Sequence, residues 1–174
     1  MSVWVADDAV VYGNVVLGDD CSVYYHSVIR AESGEFIFGR GTNIQDNCVV
    51  HGGSDAPVIV GEGVTIGHSC IIHGCTIGNN TLIGMGSIIM NRARIGNNVI
   101  IGAGSLVTED TVIPDNCVAY GRPARVIRSI TEDEIEENRQ AAEHYIRLKD
   151  QRLMNSRNLS AFPQAEERNI HDNQ

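Results

Sequence analysis

Residues 77–112 read IGNNTL IGMGSI IMNRAR IGNNVI IGAGSL VTEDTV, and a large aliphatic residue opens each group of six. A period of six matches neither an α-helix, which repeats every 3.6 residues, nor a lone strand, which alternates every two residues. It matches a coil of three short strands joined by tight corners, whose successive turns stack at the strand spacing of about 4.8 Å. The stretch therefore predicts a parallel β-helix, an all-β solenoid with one continuous aliphatic core.

The repeat extends toward the N-terminus of the chain. Two segments, residues 31–37 and 53–59, break the phase and carry glycine or proline, so we interpret them as loops that leave the coil. Four of the five cysteines fall at the small, crowded position of the repeat and are interpreted as packing residues; Cys75, two residues after His73, is interpreted as structural rather than as a supplementary ligand. The apolar residues of the same phase are Val5, Val11, Leu17, Val23, Ile29, Phe38, Ile44, Val50, Val60, Ile66 and Ile72.

A different pattern begins after residue 120. Thr131 and Glu134 have the spacing of a capping box, which marks the start of a helix. We predict a β-helix unit over residues 1–125, a C-terminal helical unit over 126–154 and a flexible tail over 155–174. The helix, from about residue 132 to 153, is expected to lay one apolar stripe on the coil or on a neighbour, formed by Ile135, Ala142, Ile146 and Leu153.

Composition excludes several classes of function. The 174 residues carry a formal net charge of −9, which argues against a binder of nucleic acid or of an anionic membrane. No apolar run reaches the roughly 18 residues of a membrane span, and the start of the chain lacks the pattern of a signal peptide, so a cytoplasmic protein is expected. Five cysteines without CxxC spacing argue against a disulfide framework. A small-molecule ligand fits this composition better.

Three of the six histidines fall in register with one another. His51 and His73 occupy equivalent positions on adjacent coils and should lie about 5 Å apart, which suits two ligands of one metal ion. His68 lies on the preceding face, as much as about 16 Å away, so convergence within one chain is difficult. A trimer closed by a head-to-tail interface would bring His68 of one chain to the other two. Three imidazoles leave one position of zinc open, as in catalytic sites; the alternative is that each is an ordinary surface histidine, as we expect for His26, His144 and His171.

Other polar residues share this register. Arg30 lies one coil below His51, and Asp46 lies one coil below His68 with Asn43 and Gln45 beside it. An acid and an amide beside a metal ion can orient its ligands. The alternative is that Arg30, Glu32 and Asp46 form an interface salt bridge with no part in chemistry.

The motifs Arg30-Ala-Glu32, Asn43-Ile-Gln45-Asp46 with His51, and Gly67-His68-Ser-Cys-Ile-Ile-His73-Gly74 resemble those of the gamma-class carbonic anhydrases and of their relatives in bacterial carnitine operons and phenylacetate degradation. The resemblance covers roughly residues 5–150. It implies a left-handed β-helix and a homotrimer with zinc, or alternatively iron or cobalt, at each subunit boundary.

The same resemblance implies an activity and roles for individual residues. It implies hydration of carbon dioxide to bicarbonate by a metal-bound hydroxide, with His51 and His73 of one chain and His68 of another as ligands. Gln45, with Asn43 beside it, would position that hydroxide. Arg30 and Asp46 would form an ion pair at the subunit boundary.

The sequence also departs from that family. Glu32 stands where Asp is usual, Ser33 stands where the best-studied members have a catalytic Glu, and the loop after His51 is short and lacks an acidic segment for proton export. His26 or Asp55 could relay protons, but their spacing favours neither. Three alternatives therefore stay open: an acetyl-CoA-dependent acyltransferase, whose exit segment would be residues 121–125, a diverged thioesterase, and a metal-binding trimer without catalysis.

Overall fold

The computed structural model describes residues 2–156, and it confirms a left-handed parallel β-helix of about six turns followed by one C-terminal helix. The strands are β1 Trp4–Val5, β2 Val10–Leu17, β3 Ser22–Val23, β4 Val28–Phe38, β5 Asn43–Ile44, β6 Val49–His51, β7 Ile59–Val60, β8 Thr65–Ile66, β9 Ile71–His73, β10 Thr76–Ile77, β11 Leu82–Ile83, β12 Ile88–Ile89, β13 Arg94–Ile95, β14 Ile100–Ile101, β15 Leu106–Val107, β16 Val112–Ile113, β17 Cys117–Gly121 and β18 Ala124–Ser129, and helix α1 spans Glu132–Ser156.

The strands form two sheets, which wrap around the core. One sheet has the order β1-β3-β5-β8-β11-β14-β17-β18, and the other has the order β15-β12-β9-β6-β4-β7-β10-β13-β16, with β2 paired to β4. Neighbours within the coils pair in parallel, because each coil repeats the direction of the one before it, and the β17–β18 pair is antiparallel. Residues one coil apart therefore lie side by side, and this places the functional side chains.

The aliphatic residues that set the six-residue period form vertical stacks in the core. On one wall, Ile83 lies between Ile66 and Ile101, and all three side chains are fully buried. The first coil has no coil beneath it, so Val5 and Val11 stay 36% and 38% exposed although they share the phase. All five cysteines are free and buried, as predicted for packing residues.

Replacing Ile83 with Ala should lower the free energy of unfolding by about 2–5 kcal/mol, because the neighbouring coils cannot collapse into the space that the side chain leaves. The control is Ile37→Ala. It removes the same atoms from a side chain that is 36% exposed on the outer surface. Urea unfolding followed by circular dichroism, at one protomer concentration, measures both variants. Equal losses for the two variants would contradict the stacked core.

The predicted loop at residues 31–37 is wrong. These residues belong to the continuous strand β4, in which Ala31 pairs with Gly13 and Phe36 pairs with Val15 of β2. Residues 32–35 form a bulge between these two paired positions, because β2 has only Asn14 opposite them, and the ladder resumes at Phe36. Gly13 makes this possible: its φ is +91°, and a Cβ there would lie 1.9 Å from the Ala31 carbonyl oxygen.

The second predicted loop, at residues 53–59, is a loop up to the start of β7. Gly53 and Ala56 each donate a backbone hydrogen bond to the other's carbonyl oxygen, both at 3.1 Å, so the segment closes as a tight turn. This turn follows His51 directly. It therefore lies beside the predicted metal ligands.

The predicted boundaries at the C-terminus shift by a few residues. The unit predicted over 126–154 begins with the end of β18, which pairs with β17 and covers the last coil. The helix itself begins at Glu132, as predicted. The capping box is confirmed at Thr131: its hydroxyl accepts from the Glu134 amide at 3.2 Å, and its own amide donates to the Glu134 carboxylate at 3.0 Å. The helix includes residues 155 and 156, and the rest of the predicted tail, 157–174, lies outside the described residues.

Helix α1 packs along the first sheet, against β1, β3, β5 and β8. Ala142 is 4% exposed, and the other residues of the predicted stripe, Ile135, Ile146 and Leu153, are half-buried. The outer side of the helix is strongly charged, and no helix within residues 2–156 is long and apolar enough to cross a membrane.

Candidate metal centre

Two of the predicted metal ligands lie side by side on adjacent coils. Strands β6 and β9 are parallel neighbours, and their register places His51 opposite His73. The ring centroids are 5.1 Å apart, close to the separation that the repeat predicted. Nδ1 of His51 lies 3.1 Å from Nε2 of His73, so these two nitrogens face each other.

The other nitrogen of each predicted ligand lies near an oxygen atom. Nδ1 of His73 contacts Oδ1 of Asn91 at 2.5 Å, and Nδ1 of His68 lies 2.9 Å from the Asp46 carboxylate. Nε2 of His51 lies 3.5 Å from the Glu32 carboxylate. An oxygen acceptor at one nitrogen holds the proton there and leaves the lone pair of the opposite nitrogen free.

These contacts fit a bound metal ion. In His51 and His73 the nitrogens left free of oxygen partners are the two that face each other. Two ligands of a tetrahedral zinc ion, each at about 2.0–2.1 Å, have nitrogens about 3.4 Å apart, and the observed 3.1 Å is close to this value. An oxygen acceptor behind each imidazole is the usual arrangement around a metal-binding histidine.

His68 lies in a different part of the surface. It follows β8, which belongs to the first sheet, whereas β6 and β9 belong to the second sheet. Within the described part of the chain, no group of three or more His, Cys, Asp or Glu side chains is close enough to hold a metal ion. A single chain therefore offers a pair of ligands on one face and a third on another.

The predicted amides lie beside His68 and form a hydrogen-bonded chain. Asn43 is fully buried and donates to the Thr65 hydroxyl at 2.9 Å, and its Oδ1 accepts from Gln45 Nε2 at 3.3 Å. Oε1 of Gln45 accepts from the backbone amide of His68 at 3.2 Å. The two amides thus fix the backbone that carries His68, and Gln45 keeps one N–H for another partner.

Arg30 and Asp46 each have a partner within the chain. Arg30 is in register with His51, as predicted, and donates to the Glu32 carboxylate at 2.7 Å. This hydrogen bond is the main reason why the pKa of Glu32 lies below its ordinary value, so Glu32 is a carboxylate at neutral pH. An ion pair between Arg30 of one chain and Asp46 of another stays a prediction.

Comparison with known proteins decides the family. The family described as "Bacterial transferase hexapeptide (six repeats)" matches residues 74–109. A solved structure of a putative acetyltransferase from Bacillus cereus has a TM-score of 0.78 at 37% identity, covering 84% of this chain and 89% of that one. A carbonic anhydrase from Geobacillus kaustophilus is 43% identical over 83% of this chain and 80% of that protein. The mitochondrial gamma carbonic anhydrase 2 of Arabidopsis thaliana is 38% identical over 94% of this chain and 60% of that protein. The chain belongs to the gamma carbonic anhydrase family.

Membership in the gamma carbonic anhydrase family confirms the resemblance that the motifs carry. It supports an enzyme of the lyase type with a metal cofactor in general. The stacked histidines are consistent with such a cofactor, because their free nitrogens converge.

A groove runs from the third histidine along the first sheet. It holds about 370 Å³, and its walls are mostly apolar. Gln45 and His68 lie at one end, and the other residues on its walls include Leu82, Met85 and Ile100. The groove therefore joins a polar end, where His68 lies, to an apolar surface.

Cys75 is not a supplementary ligand in this arrangement. Its side chain is 1% exposed and packs in the core, and burial raises the pKa of its thiol to about 12. The thiolate, which is the form that binds metal, is therefore disfavoured at neutral pH.

Sequence reasoning missed Asn91. The coil between Ile72 and Ile89 is 17 residues long, so counting coils places Met90, not Asn91, opposite His73. Asn91 stands at the next corner, opposite Gly74, and reaches back to the imidazole. Asn91 could have been found from the sequence by looking for an amide side chain one residue after the position in register with His73.

Proposed function

We propose that this protein is a metal-dependent carbonic anhydrase, which hydrates carbon dioxide to bicarbonate at sites between the subunits of a homotrimer. The observation that carries the proposal is the pair His51 and His73, whose free nitrogens face each other 3.1 Å apart. Zinc fits this donor set best, and Fe²⁺ and Co²⁺ accept the same imidazoles.

The trimer is proposed because one chain holds an incomplete site. The ligand pair and His68 lie on different sheets, so a third imidazole has to come from another copy. A head-to-tail interface that closes after three copies gives each His51–His73 pair a His68 from a neighbour, and all three sites are then equivalent.

The reaction consumes carbon dioxide and water and yields bicarbonate and one proton. When bound, a metal ion at this site would lower the pKa of a coordinated water to about 7, which makes hydroxide available at neutral pH. Asn91, Asp46 and Glu32 hold the imidazole protons away from the ion. Gln45 offers its remaining N–H to the reacting oxygen, and the apolar groove beside His68 suits a nonpolar substrate.

The released proton must leave the site after each turnover. The contacts favour Glu32 as its carrier over His26 and Asp55, the two residues considered from the sequence. The Glu32 carboxylate is 48% exposed and lies 3.5 Å from His51. His26 instead lies 3.2 Å from Asp8, and Asp55 lines a separate depression with Arg94. Glu32 therefore offers an exposed carboxylate beside the site, which can take up the released proton and pass it on to solvent.

We place the protein in the cytoplasm as part of the same proposal. All five cysteines are free thiols, which fits a reducing compartment.

An acyltransferase is the second candidate. The apolar groove beside His68 and the likeness to a putative acetyltransferase favour it. In that case an acyl chain would occupy the groove, and no metal ion would be needed.

Stopped-flow hydration of carbon dioxide by the zinc-loaded protein tests the proposal. We expect the wild type to accelerate hydration and His73→Ala to lose at least about 100-fold together with its metal, because His73 is one of the three residues that would hold the ion. His144→Ala is the control, since His144 lies exposed on α1. Metal-free wild type that transfers an acetyl group from acetyl-CoA, with no hydration by the loaded protein, would favour the second candidate.

A further inference from the structure

We infer that Asn91 is a positioning residue of the proposed metal site, which fixes the proton of His73 on Nδ1 and so presents Nε2 to the ion. The inference rests on the proposed function. Asn91 lies at a corner of the coil. It is neither one of the three predicted histidine ligands nor one of the two amides beside His68.

The contact itself sets the direction of the hydrogen bond. Oδ1 of Asn91 lies 2.5 Å from Nδ1 of His73, and an amide oxygen can only accept. The proton therefore resides on Nδ1, and the lone pair resides on Nε2, which is the nitrogen that faces His51 at 3.1 Å. Without an acceptor at this place, a neutral imidazole is free to carry its proton on Nε2, where it would block the metal.

The backbone around Asn91 holds the amide in this position. The Asn91 carbonyl accepts from the Asp110 amide at 3.1 Å, and the next residue, Arg92, donates its amide to the Gly74 carbonyl at 2.7 Å. The corner is thus tied to the coils on both sides. The Arg92 side chain adds a hydrogen bond to Asp110 at 2.7 Å.

Glycine at position 74 makes room for this contact. Its φ is +56°, and a Cβ there would lie 2.6 Å from Oδ1 of Asn91 and 2.9 Å from the Ala56 side chain. A side chain at position 74 would therefore push the amide away from the imidazole. His73, Gly74 and Asn91 act as one unit.

The three histidines differ in the charge of their acceptors. His51 and His68 face carboxylates, whereas His73 faces a neutral amide. A neutral acceptor fixes the proton without adding negative charge, so it orients the ligand and leaves more of the ion's charge for a coordinated water. The expected contribution is to metal affinity more than to folding.

Metal affinity of the full-length protein tests the inference. We expect Asn91→Leu, which keeps the size and removes the acceptor, to raise the Kd for Zn²⁺ and Co²⁺ about 10–100-fold in competition with a chromophoric chelator. Asn91→Asp should keep tight binding, because its oxygens can only accept. Asn91→Ala is a second variant without added bulk, and it should weaken binding in the same way.

The matched control is Asn97→Leu. Asn97 stands at the equivalent corner of the next hexad, and its side chain bonds Asp115 and the Asn79 amide rather than a histidine. Its substitution should lower the melting temperature at least as much as Asn91→Leu does while leaving the Kd unchanged. Long-range ¹H–¹⁵N NMR of metal-free protein gives a readout without metal: His73 should carry its proton on Nδ1 in the wild type and lose that preference in Asn91→Leu.

Two results would overturn the inference in different ways. A wild type that binds metal, with Asn91→Leu binding equally well and showing the same His73 tautomer, removes the role of Asn91 and leaves the proposed function intact. A wild type that binds neither ion overturns both.

Discussion

Mixing two variants that each bind no metal, His68→Ala and His73→Ala, should restore about a quarter of the wild-type metal sites. Each variant alone lacks one of the three imidazoles at every site. In a mixed trimer, a site is complete where a chain with His51 and His73 meets a neighbour with His68. Metal analysis after joint refolding, or after co-expression, measures the restored fraction.

The expected fraction follows from the geometry of a closed ring. Each interface needs the His68→Ala chain on the side that supplies the pair and the His73→Ala chain on the side that supplies His68. With equal amounts of both chains and random assembly, each condition is met in about half of the cases, so about a quarter of the interfaces are complete. Activity in carbon dioxide hydration should recover to the same fraction.

Two controls show whether the recovered sites form between subunits. The two variants mixed without refolding should gain nothing until subunits exchange. The double variant with both His68→Ala and His73→Ala should restore no site with either single variant, because one of the two histidines is then absent from every chain. If all three histidines bound metal within one chain, no mixture would recover sites, and the intersubunit centre would be ruled out.

The repeat in the sequence predicted most of the fold because each hexad carries its own signal. Ile66, Ile83 and Ile101 recur at the spacing of the coil and are all fully buried, so the phase alone identifies the core. The failure at residues 31–37 has a physical cause. The segment around Gly34 looks like a loop in sequence, but it is a bulge within β4, because Ala31 and Phe36 on either side of it pair with Gly13 and Val15 of the previous coil.

The sequence predicted those contacts of the candidate site that join residues in register on adjacent coils. It missed the contacts that join residues out of register. His51 and His73 are in register, so coil counting placed them together. Asn91 reaches His73 from the corner one residue beyond the register position, and Glu32 reaches His51 from two residues beyond it in β4. The six-residue period predicts the position of each Cα atom in the coil. It does not predict the direction in which a long side chain points.

Lys149 is the other feature that the sequence did not reveal. It is one of several charges on α1, yet its side chain is fully buried where the end of the helix meets the start of the chain. Its ammonium donates to the Ser2 hydroxyl at 2.6 Å, to Asp20 at 3.0 Å and to Asp150 at 2.8 Å. No periodicity links residues 147 positions apart, so only the folded chain shows this contact.

Replacing Lys149 with Ala should lower the free energy of unfolding by about 1.5–3 kcal/mol, because it removes the charged donor of these hydrogen bonds and leaves Asp20 without its strongest donor. Lys149→Met, which keeps the length of the side chain, should lose less. Urea unfolding at one protomer concentration measures both. Arg147→Ala is the control, since Arg147 is 62% exposed and its nearest ion-pair partner, Glu143, is 3.9 Å away.

The pH dependence of stability gives an independent check on the same pair. The Lys149 hydrogen bond is the main cause of an Asp20 pKa below its ordinary value, so the folded chain holds Asp20 ionised more readily than the unfolded chain. This stabilisation is present above the unfolded pKa of Asp20 and disappears as pH falls through the folded value. The wild type should therefore lose stability in acid more steeply than Lys149→Ala, in which Asp20 keeps Arg40 as a partner. Parallel acid profiles for the two proteins would show that Lys149 holds the helix by packing alone, because loss of the charge would then leave the titration of Asp20 unchanged.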